Sequence, residues 1–209
     1  MKVNKLVPVA AALVVGSTVF AQYYNGDPDG VNGFAIDYDF YTYDNFHVSA
    51  TGMLVFGVYA NVYANATIRI MNWEFRRGIS EGNGGTLVAS GTCAVTQTPN
   101  GFDHFGFKGY TLDCQDMAVT LGEGDYWLGI NVHGQDRCFI ATCAPVDGQT
   151  FLNSEDFGFN FTDWQNVVGP GIWDVSFGIK GEGVPEPATF LTIGIGLAAL
   201  AAQRRAGKN

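Results

Sequence analysis

Charge is scarce in this chain. Asp, Glu, Lys and Arg make up 15% of its 209 residues, against roughly 25% in ordinary soluble domains. With 16 Phe and 9 Tyr to bury, the deficit excludes disorder maintained by charge repulsion. Basic residues are the scarcest: 11 Lys and Arg face 20 Asp and Glu. Five of the basic ones (Lys2, Lys5, Arg204, Arg205, Lys208) sit at the two ends, where Glu186 is the single acid, so residues 22–183 keep 6 basic against 19 acidic groups, a formal balance of −13. Nucleic acid is thereby excluded as a partner, because phosphate binding needs a basic footprint. An acidic polysaccharide would be repelled unless a cation bridged it. Sustained helical periodicity is also missing, and 28 glycines, each costing about 1 kcal/mol relative to Ala inside a helix, work against it. No repeat of fixed period occurs, which excludes a propeller or solenoid.

What is present at the ends reads as addressing. Lys2 and Lys5 precede an apolar core over residues 6–20, and Val19-Phe20-Ala21 places small residues at a cleavage position, so residues 1–21 are expected to be a secretory signal helix cut after Ala21. At the other end, Pro185-Glu186-Pro187 precedes an apolar stretch over residues 190–202, then Arg204 and Arg205. The prolines enforce an extended neck. A helix from Ala188 to Gln203 would rise about 24 Å, slightly short of the roughly 30 Å hydrocarbon core, with the arginines snorkelling to the cytoplasmic surface. Basic residues inside then place everything before Val184 outside.

This three-part tail resembles the PEP-CTERM sorting signal of Gram-negative bacteria, in which a Pro-Glu-Pro motif, a short hydrophobic helix and terminal basic residues are recognised by a membrane processing enzyme, exosortase. By that resemblance Pro185, Glu186 and Pro187 are the recognition element, Arg204 and Arg205 the membrane-stop residues, and residues 184–209 the sorting segment. The basic end is sparser than the arginine clusters common in that family. The implied partners are the secretion machinery, an exosortase-type enzyme and, through the C-terminal helix, the inner membrane, with the body exported to the cell envelope or beyond.

The remaining body, residues 22–183, is large enough to fold alone. Short alternating segments recur over residues 46–48, 53–59, 66–75, 87–95, 117–121, 126–132 and 173–179. Tyr126, Leu128, Ile130 and Val132 share one face, as do Trp173, Val175, Phe177 and Ile179, the pattern of half-buried strands. Asn25-Gly26, Asn32-Gly33, Asn83-Gly84-Gly85 and Asn100-Gly101 are turn signals between them. The expectation is an all-β fold: roughly eight to ten strands in a two-sheet antiparallel sandwich, jelly-roll-like. The block from Trp73 to Gly91, with the later Gly124-Asp125-Tyr126-Trp127-Leu128, is similar to a hairpin and strand of many PEP-CTERM ectodomains, a jelly-roll-like family without an assigned activity.

Cys93, Cys114, Cys138 and Cys143 all lie in the exported part, an even number in a disulfide-permissive compartment. Three pairings are open; Cys93–Cys114 across the 99–109 connection and Cys138–Cys143 around a small loop are favoured. A metal site from His133, Cys138 and Cys143 lacks an obvious fourth ligand and the tighter spacing usual for zinc. Gly78-Ile79-Ser80-Glu81-Gly82 fits the G-x-S-x-G pattern of hydrolases, yet Glu-Gly-Asn-Gly-Gly follows Ser80 and cannot start the required helix, so a hairpin turn is expected. No catalytic residue is assigned. Asp27, Asp29, Asp37 and Asp39, with Asp44 downstream, are candidate calcium ligands, since calcium takes six to eight oxygens; no other cofactor is expected. Tyr41 and Tyr43 share a face and form a candidate glycan platform. The function expected is that of a non-catalytic surface or biofilm-matrix protein, with a carbohydrate-binding module and a polysaccharide-modifying enzyme as alternatives.

Overall fold

A computed structural model of the chain describes residues 20–49, 51–132, 137–154, 159–163 and 173–184, and every regular element among them is a β-strand. In chain order these are β1 (Phe20–Tyr24), β2 (Pro28–Ala35), β3 (Tyr41–Val48), β4 (Met53–Ala64), β5 (Ile70–Arg77), β6 (Thr86–Pro99), β7 (Lys108–Cys114), β8 (Val119–Leu121), β9 (Gly124–Asn131), β10 (Cys138–Cys143), β11 (Phe151–Ser154), β12 (Phe159–Asp163), β13 (Asp174–Val175) and β14 (Phe177–Gly183). Of the expected signal helix over residues 1–21, residues 1–19 lie outside the described residues while Phe20 and Ala21 belong to β1, and the expected C-terminal hydrophobic helix lies wholly outside them. Among the described residues no helix is long and apolar enough to cross a membrane.

Pairing is antiparallel throughout and nested about the β5–β6 hairpin. β5 pairs with β6, β4 with β7, β3 with β9, β2 with β10, and β1 with β14. One layer runs β1-β14-β4-β7, with β2 and β10 prolonging the lines of β1 and β14; the other runs β6-β5-β9-β3-β11-β12. The two layers are not separate sheets, as the sequence led us to expect. β6 is 14 residues long; its first part hydrogen-bonds to β5 up to Ala94, and from Val95 onward it pairs with β7. One open antiparallel sheet therefore bends through β6 into a sandwich-like pair of layers.

The inner faces meet in a single core. Val55, Val58, Ala60, Val62, Leu112, Phe177 and Ile179 come from one layer, and Phe46, Met71, Phe75, Tyr126, Leu128 and Ile130 from the other. The apolar faces read in the 126–132 and 173–179 segments do enter this core, Val132 and Val175 joining it and Trp173 packing against it, but the residues between them are buried too, so these strands are not half-buried. Each large side chain so buried contributes roughly 1.5–3 kcal/mol. The first and last strands lie side by side, Phe20 opposite Glu182 in the β1–β14 pair, and Val184 N–H bonds to the Gly52 carbonyl at 3.3 Å. The expected cut after Ala21 falls inside β1 and leaves Gln22, Tyr23 and Tyr24 paired with Lys180, Ile179 and Gly178.

Candidate functional site

The acidic residues singled out from sequence are not brought together. Asp27 accepts a hydrogen bond from the Tyr24 hydroxyl. Asp29 accepts from Val31 N–H at 2.8 Å and from the Thr142 hydroxyl at 2.6 Å. Asp37 is buried and accepts from Cys138 N–H at 3.1 Å; burial raises its pKa. Asp39 is exposed at the turn after it. Each of the first three carboxylates ties a different piece of chain, so the four do not form a calcium shell.

A different trio does converge. Carboxylate oxygens of Asp44 on β3, Asp147 on the β10–β11 connection and Asp174 on β13 lie within 4.8 Å of one another. Asp44 and Asp174 are fully buried. Asp44 accepts from Val175 N–H at 2.6 Å, Asn45 N–H at 2.8 Å and the Asn25 amide at 3.0 Å. Asp174 accepts from the backbone N–H groups of Val146, Asp147 at 2.9 Å and Gly148 at 2.8 Å, wrapping that connection around itself. Burial, reinforced by the Asp174 and Asp147 charges, pushes the Asp44 carboxyl well above the ordinary carboxylate range. Because the oxygens of both buried members are already taken by N–H donors, this arrangement is a hydrogen-bonding hub that ties β3 of one layer to β13 and the 146–148 segment of the other. Of its members only Asp44 was singled out from sequence, and nothing local pointed to the grouping, since Asp147 and Asp174 both lie more than a hundred residues after Asp44.

The tyrosine platform is covered. Tyr41 and Tyr43 do share a face and stack with ring centroids 5.8 Å apart, but Tyr43 is 1% exposed and belongs to a second cluster with Ile79, Trp127, Phe151 and Phe161. The β11–β12 hairpin closes over it, helped by a hydrogen bond from Gly82 N–H to the Phe161 carbonyl. Tyr43 lies flat over Gly129, its cross-strand partner, where a Cβ would come within 2.2 Å of the ring. Its hydroxyl donates to Glu74 at 2.9 Å, and Glu74 also receives Arg76 Nε at 2.6 Å. Tyr43 is thus part of a packed outer core with no open face for a sugar, and Tyr41 lies half-buried beside it.

Of the two favoured cystine pairings, one forms. Cys93 and Cys114 are bonded, Cα atoms 6.0 Å apart, at the corner where β6 changes partners. Cys138 and Cys143 are free and buried. They stand at opposite ends of β10, roughly 16 Å apart at strand rise, and an odd separation puts them on opposite faces, well outside disulfide reach. The same separation removes the His133, Cys138, Cys143 metal set, of which His133 lies outside the described residues. Burial pushes both thiols up, so neither carries a thiolate. Ser80 sits in the β5–β6 hairpin, bridged to Asn83 through reciprocal backbone bonds of 2.9 and 2.8 Å, with no helix after it.

Pro185, Glu186, Pro187, Arg204 and Arg205 lie outside the described residues, and for them the comparisons speak. Residues 183–205 match the model of the PEP-CTERM protein-sorting motif. The comparisons with curated proteins and with solved structures return no match. The match covers the C-terminal sorting segment alone; a motif of this kind implies exosortase processing and an exported, membrane-associated cell-envelope protein.

Proposed function

We propose that the chain is a non-catalytic jelly-roll protein with a structural or interaction role at the cell surface or in an extracellular matrix, held in the inner membrane by its C-terminal helix until its tail is processed. The sorting motif at 183–205 is the observation that carries this reading. Support for the jelly roll comes from the nested pairing, since a hairpin ribbon rolled on itself yields two layers with first and last strands adjacent. Support for a non-catalytic role comes from the buried carboxylates, which are engaged in backbone bonds, and from thiols that burial keeps protonated.

The reading is tested by incubating the purified chain with neutral, acidic and amino-sugar polysaccharides and assaying new reducing ends. None is expected. Release of reducing ends that disappears on substitution of a carboxylate pair would replace it with the polysaccharide-modifying alternative.

A further inference from the structure

The end of β4 farthest from Gly183 carries a recess of about 180 Å³ lined by Asn32, Gly33, Tyr63, Phe105, Phe107 and Phe139. It lies under the β6–β7 connection, against β2 and β10. None of its lining residues is charged. Gly33 keeps the floor open, because a Cβ there would meet Phe139 Cβ at 3.0 Å and Tyr63 Cδ2 at 3.1 Å. Phe107 and Phe139 meet edge to face at 5.3 Å.

Two features of this recess do not serve the fold. First, Tyr63 is 2% exposed, and its hydroxyl and the neighbouring His104 Nε2 are both buried without a hydrogen-bond partner. The two rings are adjacent, with centroids 5.7 Å apart. The Gly30 backbone N–H acts on the Tyr63 hydroxyl as a weak hydrogen-bonding group that lowers its pKa against the burial that raises it, but no hydrogen bond of normal geometry closes. An orphaned buried polar group costs about 1–3 kcal/mol. Second, the connection turns through Phe105 and Gly106 with φ of +50° and +79° between reciprocal His104–Phe107 backbone bonds. That is the backbone of two-residue hairpin turns, where Asn-Gly is the favoured pair and a bulky residue is strained. Phe105 occupies the strained position and remains 68% exposed at the rim, so the turn displays an aromatic ring instead of hiding it.

We propose that this recess binds one neutral pyranose ring of a polysaccharide, with the ring face against Phe105 and a sugar hydroxyl completing the hydrogen bonding of Tyr63. An uncharged lining on a body of balance −13 disfavours acidic sugars, and the unfilled Tyr63 hydroxyl in that lining disfavours a purely apolar guest. Position agrees with this use. The Met53 end of β4 pairs with Gly183, where the tail leaves, and the Ala64 end pairs with Lys108 beside the recess, roughly 35 Å away at strand rise. The recess therefore opens at the pole opposite Gly183, the last residue of β14. The inference deepens the interaction role proposed above, but binding is measured on purified protein and can fail while the routing stands, or the reverse.

The test is titration calorimetry of the detergent-solubilised full chain with tetrasaccharides of glucose, galactose, mannose and N-acetylglucosamine. At least one is expected to bind. Phe105→Ala should weaken it about tenfold, and Tyr63→Phe about three- to tenfold through one lost hydrogen bond. Tyr63→Phe removes an unsatisfied buried hydroxyl, so its melting temperature should stay equal or rise, which separates a binding role from a structural one. No binding by any of the four at about 10 mM, binding that both variants leave intact, or binding confined to acidic sugars or to an aromatic peptide would overturn the proposal.

Discussion

Replacing Asp44 with alanine should lower the unfolding free energy by roughly 3 kcal/mol or more, because three N–H donors from Asn25, Asn45 and Val175 lose their acceptor inside the protein. Urea denaturation measures it directly, and a loss under about 1 kcal/mol would deny the hub its role. The same residue sets a pH dependence. Its folded-state pKa is raised above the ordinary 3.8 by burial and by Asp174, so the native state holds a proton that the unfolded chain releases. Stability contributed by this group is therefore complete below about pH 4 and is lost as pH rises through the folded-state value. Asp44→Asn cannot titrate there, so the advantage of the wild type over that variant should shrink from pH 4 towards 7. An advantage that grew over the same range would have the wrong sign.

The disulfide carries the second large effect. Cys93 and Cys114 are 21 residues apart, and a closed loop of that length stabilises by about 3 kcal/mol in the chain-entropy account. Replacing both with alanine should lower the melting temperature by about 6–12 °C for a body of this size. Thiol labelling gives the sharper reading: alkylation after denaturation without reductant should modify Cys138 and Cys143 and leave Cys93 and Cys114 untouched. Four protected cysteines would restore the two-bridge expectation, and four modified ones would remove the brace altogether.

Where the sequence could be read and where it could not follows from the range of the interactions. In β9 both faces are buried, one in the main core and the other under Tyr43 and the β11–β12 strands, but Asp125, Gly129 and Asn131 interleave the apolar residues, so Tyr126, Leu128 and Ile130 alternate visibly. β10 is buried on both sides between β2 and β4, so Cys138 to Cys143 has no alternation to detect. β2 was hidden by Asn32-Gly33, which has the chemistry of a turn; here Gly33 lies mid-strand, kept small by the close approach of Phe139 and Tyr63. The Tyr41 and Tyr43 face was identified, but its cover was not, since Phe151 and Phe161 arrive from a hairpin over a hundred residues later.

The candidate sites divide in the same way. A tail motif is contiguous, so Pro185-Glu186-Pro187 and its flanks were legible and the family model finds them. The Asp44, Asp147 and Asp174 hub and the Tyr63 and Phe105 recess are assembled only by strand pairing. One signal for the recess was available in principle: Phe105-Gly106 between two further aromatic residues within the Pro99 to Gly109 connection is an unusual way to fill a turn.

All of this depends on a folded body being carried outward between two removable labels. Fractionation of the native host followed by mass spectrometry of terminal peptides measures that most directly. The account predicts protein in the envelope or medium whose first peptide starts at about residue 22 and whose peptides stop short of the hydrophobic stretch at 190–202. Full-length protein in the cytoplasm, with Met1 and Asn209 both retained, would contradict it.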